Sequence, residues 1–145
     1  MKISTRTRYG TRAMLDIALH EGKGPVQLKA IAERQEISLP YLEHIVAPLI
    51  RAGFLRTTRG PAGGVSLRKR PQDIRIREII EALDGSIAPV DCVDDPSVCS
   101  RADSCVTCDV WAELKGAMVK TLESVTLADL VERHKAKQEA LGKPK

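Results

Sequence analysis

A chain of 145 residues, 43% of them hydrophobic, is long enough for one compact domain. Aromatic residues make up only 3%, so Leu, Ile, Val and Ala must build the core. No run approaches the ~18 apolar residues of a membrane span, and Met1-Lys2-Ile3-Ser4-Thr5-Arg6 has no apolar signal region, which predicts a cytoplasmic protein away from membranes. The net charge of +4 is unevenly spread: residues 1–78 carry 15 Lys and Arg against 7 Asp and Glu, and residues 79–145 carry 8 against 12. A basic half suits a polyanion such as nucleic acid, although a chance division of an ordinary surface gives the same numbers.

The first helix is predicted from about Thr7 to Glu21, where Tyr9, Ala13, Met14, Ile17 and Ala18 recur at helical spacing. Gly22-Lys23-Gly24-Pro25 stops it. A second helix, about Leu28 to Gln35, turns inward with Leu28, Ile31 and Ala32. Ser38 is a good N-cap for a third, whose apolar face is Leu39, Leu42, Ile45, Val46, Leu49 and Ile50. Pro40 is harmless in its first turn, whereas Pro48 should disturb the last one before Ala52-Gly53 ends the helix.

Phe54–Thr58 and Val65–Leu67 are predicted to pair as a β-hairpin across Arg59-Gly60-Pro61-Ala62-Gly63-Gly64. A fourth helix, about Ile76 to Leu83, follows. Residues 84–105 then gather five Asp, three Cys and two Pro against one Arg, an unusual loop unless something organises it. A long helix from about Val106 to Leu122 carries Val110, Trp111, Leu114, Met118 and Leu122 as its stripe. Thr126 with Asp129 forms a capping box for a last short helix, Leu127 to about Lys135, before a polar tail.

Two short helices with a tight turn and a basic hairpin make a winged helix-turn-helix, which is suited to DNA. The second helix of the pair offers its N-terminal residues to base edges in the major groove. Here these are Ser38, Tyr41, Glu43 and His44, and Glu43 can accept from cytosine N4. In the wing, Arg56 and Arg59 with the backbone of Gly60, Pro61 and Gly63 can approach phosphates or a narrow minor groove. Arg6, Arg8 and Arg12 offer further phosphate contacts. Solvated helix residues and a plain hairpin turn are the bland alternatives.

The four cysteines fall within 17 residues, as Cys92-x6-Cys99-x5-Cys105-x2-Cys108. In a reducing compartment such crowding points to metal or redox chemistry. Thiolates bind zinc and iron–sulfur clusters alike. Only Cys105 and Cys108 have the close spacing of a zinc staple, and the wider gaps suit a loop wrapped around a cluster. Cys108, in the first turn of the long helix, should be favoured as a thiolate by the helix dipole. A zinc staple and a reversible Cys105–Cys108 disulfide remain open. No Gly-rich nucleotide loop, βαβ pattern or nucleophile–base pairing is present, which argues against an enzyme.

Thr7-Arg8-Tyr9, Ala13-Met14-Leu15-Asp16, Ile37-Ser38-Leu39-Pro40-Tyr41-Leu42-Glu43, the wing Arg59-Gly60-Pro61-Ala62-Gly63-Gly64 and the cysteines together resemble the IscR/NsrR/CymR-type winged-helix transcription regulators, the Rrf-two family. The resemblance spans about Met1 to Arg133. It implies a mostly α fold with a small β-hairpin wing, and a homodimer paired through the long helix on palindromic operator DNA. It further implies an iron–sulfur cluster that controls operator binding. Residues 1–83 would be the winged helix-turn-helix DNA-binding domain, 84–109 the cluster-binding loop, 106–135 the dimerisation helix with a C-terminal helix, and 136–145 a flexible tail. The IscR-like branch has a His three residues after the third cysteine, where this chain has Cys108, so Cys92, Cys99, Cys105 and Cys108 are the implied metal ligands. The gap from Cys92 to Cys99 is one residue longer than in that branch. The NsrR-like branch takes an acidic ligand from the partner's first helix, where this chain has Arg8. The IscR-like branch points to 2Fe–2S first and 4Fe–4S next. A cluster-free thiol-switched or zinc-containing regulator of the same fold is the alternative.

Overall fold

The computed structural model describes residues 2–143. Among these, seven helices and one two-stranded hairpin form the winged-helix architecture. Helix α1 (Thr5–Leu19) starts where the Ser4 side chain accepts from the Thr7 amide at 3.0 Å. Its face of Ala13, Met14, Ile17 and Ala18 is buried. Helix α2 (Leu28–Gln35) ends on Glu36, held in the left-handed region at φ 57°. That residue turns the chain tightly into α3 (Leu39–Arg51), capped by Ser38, which accepts from the Tyr41 amide. Pro48 does not end α3: the helix runs on to Arg51, because a proline near the C-terminal end removes only one intrahelical bond.

Strands β1 (Leu55–Thr58) and β2 (Gly64–Leu67) pair antiparallel, with Leu55 opposite Leu67 and Thr58 opposite Gly64. Val26 joins the edge by a reciprocal pair of backbone bonds to Val65, each 2.8 Å. The hairpin is thereby anchored to the segment that precedes α2. A short 3₁₀ turn, Pro71–Asp73, leads into α4 (Ile76–Asp84), which buries Ile76, Ile79, Ile80 and Leu83. Helices α1 and α4 pack so closely that a Cβ at Gly10 would collide with the Leu83 side chain.

The acidic, cysteine-rich segment is built from single turns rather than open loop. They are α5 (Asp91–Asp94) and the 3₁₀ turns Pro96–Val98 and Ala102–Ser104. Helix α6 (Val106–Ser124) follows, and none of its residues is buried. The chain then returns to the core. Ile76 donates to the Val125 carbonyl at 3.0 Å, Leu127 donates to the Ile74 carbonyl at 2.9 Å, and Leu127 is fully buried. The expected capping box opens α7: Thr126 and Asp129 exchange hydrogen bonds of 2.8 and 3.1 Å.

Helix α7 (Leu127–Ala140) runs five residues past the predicted end at Lys135, so residues 136–140 are helix and not tail. Of the expected tail, Pro144 and Lys145 lie outside the described residues. No helix among the described residues is long and apolar enough to cross a membrane.

Candidate functional site

Two surfaces carry the chemistry that the sequence suggests. The first is the helix-turn-helix with its wing. Leu42, Ile45, Val46 and Leu49 anchor one face of α3 in the core, which turns Glu43 and His44 outward, exposed. Ser38 is also exposed, but its hydroxyl is engaged in capping. Tyr41 differs from the expectation of a free base-reading side chain: it is half-buried, edge-on against Tyr9 with ring centroids 6.1 Å apart.

In the wing, Arg56, Arg59, Gly60 and Pro61 are exposed at or near the tip. Arg56 donates across the hairpin to the Ser66 hydroxyl at 3.3 Å, and Arg59 has no side-chain partner among the described residues. Gly63 is buried, and a Cβ there would run into the Thr58 carbonyl, so this glycine shapes the turn.

The basic residues of α1 divide in a way the sequence did not reveal. Arg6 is half-buried and donates to the Leu83 carbonyl at the end of α4, which takes it away from any phosphate. Arg12 donates to Gln35 at 2.9 Å and stacks over the Tyr9 ring. Arg8 alone of the three is free at the surface.

Asp16, 4% exposed, was read only as part of a motif and proves to be a structural centre. It accepts two bonds from Arg34, at 2.6 and 2.9 Å, and one from Gln35 at 3.0 Å. This fork ties α1 to α2, the first helix of the helix-turn-helix. A carboxylate on the apolar side of a helix, eighteen residues before an arginine on the next, was the available signal.

The second surface is the cysteine segment. Cys92 on α5 and Cys108 in the first turn of α6 meet with their sulfurs 3.4 Å apart. Cys105 caps α6, and its sulfur lies 3.0 Å from the Thr107 hydroxyl. Cys99 is exposed at the end of a 3₁₀ turn. All four are free thiols.

The hydrogen bond from Thr107 holds the Cys105 thiol below its ordinary range, as does the Cys108 amide. Cys108 goes the other way, to about 11, because its contact with Cys92 favours the protonated form, with burial and the Cys92 charge adding to the effect. Without a bound metal, the contact with Cys92 thus opposes the thiolate expected at Cys108, while Cys105 is shifted toward it.

Two thiolates on one tetrahedral metal with bonds of about 2.3 Å lie roughly 3.8 Å apart, so the Cys92–Cys108 pair is near ligating separation. Among the described residues, no three His, Cys, Asp or Glu groups come close enough to hold a metal ion together. The donor set of four thiols on short turns suits a thiolate-bound cluster, and two of the four are already adjacent.

The segment is pinned at both sides. At its start, Asp84 accepts from Ser4 and Thr7, each at 2.5 Å. Further along, Asp94 accepts from Ser86 and pairs with Lys115 of α6 at 2.5 Å, which keeps its carboxyl below the usual range. Helix α6 packs on α5 and α4, and α4 packs on α1 and α3. Helix α4 thus lies between α6 and α3.

Comparison with known proteins agrees with this architecture. Residues 3–133 match the family model of Rrf2, an iron-dependent transcriptional regulator. Protein rrf2 of Nitratidesulfovibrio vulgaris is 43% identical over 131 residues, covering 90% of this chain and 87% of that one. The structure of T. potens IscR superposes with a TM-score of 0.79 at 40% identity, covering 95% of this chain and 91% of the other. CymR, the global cysteine regulator of B. subtilis, gives 0.77 at 37% identity, with coverages of 92% and 98%.

Proposed function

The chain belongs to the Rrf2 family of DNA-binding transcription regulators, not of enzymes, and from that premise we propose that an iron–sulfur cluster on Cys92, Cys99, Cys105 and Cys108 controls its operator binding in the cytoplasm. The observation that carries this reading is the contact of Cys92 with Cys108 in the first turn of α6, which Cys105 immediately precedes, in a segment with no core of its own. Bound there, a cluster supplies a redox- and iron-sensitive crosslink, with 2Fe–2S favoured and 4Fe–4S second.

The protein residues do the rest. Glu43 and His44 of α3 read base edges, and Arg59 and the backbone of Gly60 hold phosphates. Lys115 and Asp94 fix α5 against α6, and α6 bears on α4. Ordering the segment thus biases α4 and, through it, α3, with a coupling of about 1–3 kcal/mol. Val106, Val110 and Trp111, 75%, 53% and 38% exposed along α6, form an apolar stripe suited to pairing with the same helix of a second copy. A homodimer places two recognition helices on a palindromic operator.

The 3.4 Å separation favours one second reading, a thiol switch. Cys92 and Cys108 would lose two electrons and two protons to a peroxide, which leaves as water, and the sulfurs would join. That pair replaces the Cys105–Cys108 disulfide that spacing alone suggests.

An anaerobic visible spectrum with iron and sulfide counts tests both readings, on the wild type and on Cys108→Ala. A coloured wild type with stoichiometric iron, and a variant that loses most of it, is the expected result. A colourless protein that resists reconstitution and yields a Cys92–Cys108 crosslinked peptide after peroxide would establish the switch instead.

A further inference from the structure

Away from both surfaces, a half-open cavity of about 720 Å³ lies between α1, α2 and α7. That is the size of a site for a small organic molecule. Its rim carries Arg12, Lys23, Arg34 and Lys135 against one carboxylate, Asp16. Asp16 is already matched to Arg34 by the two-bonded fork. Arg12 and Lys23 have no carboxylate partner among the described residues, and Lys135 has only an exposed contact to Glu132 at 3.5 Å. Leu15 and Leu19 form an apolar part of the wall between these cations.

Cations in excess of carboxylates around a concave, partly apolar wall are the complement of an anionic head on an apolar body. We infer that this cavity binds a small amphipathic organic anion, with its charged group between Arg12, Lys23 and Lys135 and its hydrocarbon part on Leu15 and Leu19. Arg34 forms both the wall of this cavity and the clamp between α1 and α2, so the occupant touches the helix that precedes the recognition helix. The site shares no residue with the cysteine segment, so its failure would leave the cluster reading intact.

The test uses the full chain and three probes of one length: hexanoate, hexyl phosphate and hexanol, titrated by calorimetry at constant ionic strength. Saturable binding of hexanoate or hexyl phosphate, at least tenfold tighter than hexanol, is expected, and the tighter of the two anions identifies the head group. Arg12→Gln should weaken it about tenfold, and so should Lys135→Gln, an exposed change that leaves the fold alone. Three results would each overturn the inference: no saturable binding up to ~10 mM, equal binding of hexanol, or unchanged affinity in Lys135→Gln. Competition by duplex DNA, with a reduced salt dependence of DNA binding in Lys135→Gln, would assign these cations to phosphate contacts and also overturn it.

Discussion

Met14, Ile31, Leu42, Ile45, Leu49 and Ile79 are completely buried in the first part of the chain, whereas α6, nineteen residues long, buries none. These side chains close one core with the hairpin and with Leu127 of α7, and each contributes about 1.5–3 kcal/mol by leaving water. Helix α6 has its backbone bonds and a few edge contacts, and leaves Val106, Val110 and Trp111 in solvent. The cysteine segment and α6 rest instead on local bonds and on the contacts of α6 with α4 and α5.

The largest expected effect strikes at that difference directly. Ile45→Ala should cost about 2–5 kcal/mol in urea unfolding, while Val110→Ala at low protein concentration should change it by less than ~0.5 kcal/mol. Equal costs would mean that α6 shares the core after all. Next, Asp16→Ala removes the carboxylate that binds Arg34 and Gln35. Because Arg34 can turn to solvent, a loss of about 2 kcal/mol is expected, well below that of a fully buried ion pair.

On the DNA side, Arg59→Ala should weaken binding roughly tenfold and lower the slope of log affinity against log salt by about 1. An unchanged slope in a binding titration would remove the wing from the interface. The smallest effect belongs to the joint between the two parts. Thr126→Ala should cost about 1 kcal/mol as a lost N-cap.

The same cap gives that difference a pH dependence. Hydrogen bonds from Thr126 hold the Asp129 carboxyl below its usual range. A lowered folded-state pKa contributes stability above the ordinary carboxylate range and loses it as pH falls through the lowered value. The gap between wild type and Asp129→Asn should therefore narrow in acid, and a gap constant with pH would deny Asp129 its part.

Local signals were legible in the sequence. Ser38, the Thr126–Asp129 box and the Gly/Pro turn at residues 59–64 act within a few residues of themselves, and each stands where its chemistry predicts. The α3 stripe was legible for the same reason, because burial follows its period. What escaped depends on distant partners. Arg6 was taken for a phosphate contact because nothing nearby shows that the Leu83 carbonyl will meet it. Tyr41 is half-buried with its ring edge-on to Tyr9, and Cys108 finds Cys92 rather than its neighbour in the Cys-x-x-Cys pair. Helix α7 outran its predicted end because Glu, Lys and Gln propagate a helix without an apolar stripe.

The backbone bonds that bring Val125 and Leu127 back beside Ile74 and Ile76 have a kinetic consequence. They make residues 85–124 a loop fastened at both ends, so its order can be lost and regained without the chain separating from the core. Closing such a loop from a free end would cost an entropy that grows with the logarithm of its length. Here that cost has already been met when the core folds. Any rearrangement of the cysteine segment then starts from two ends already held in place, and needs no second closure of the chain.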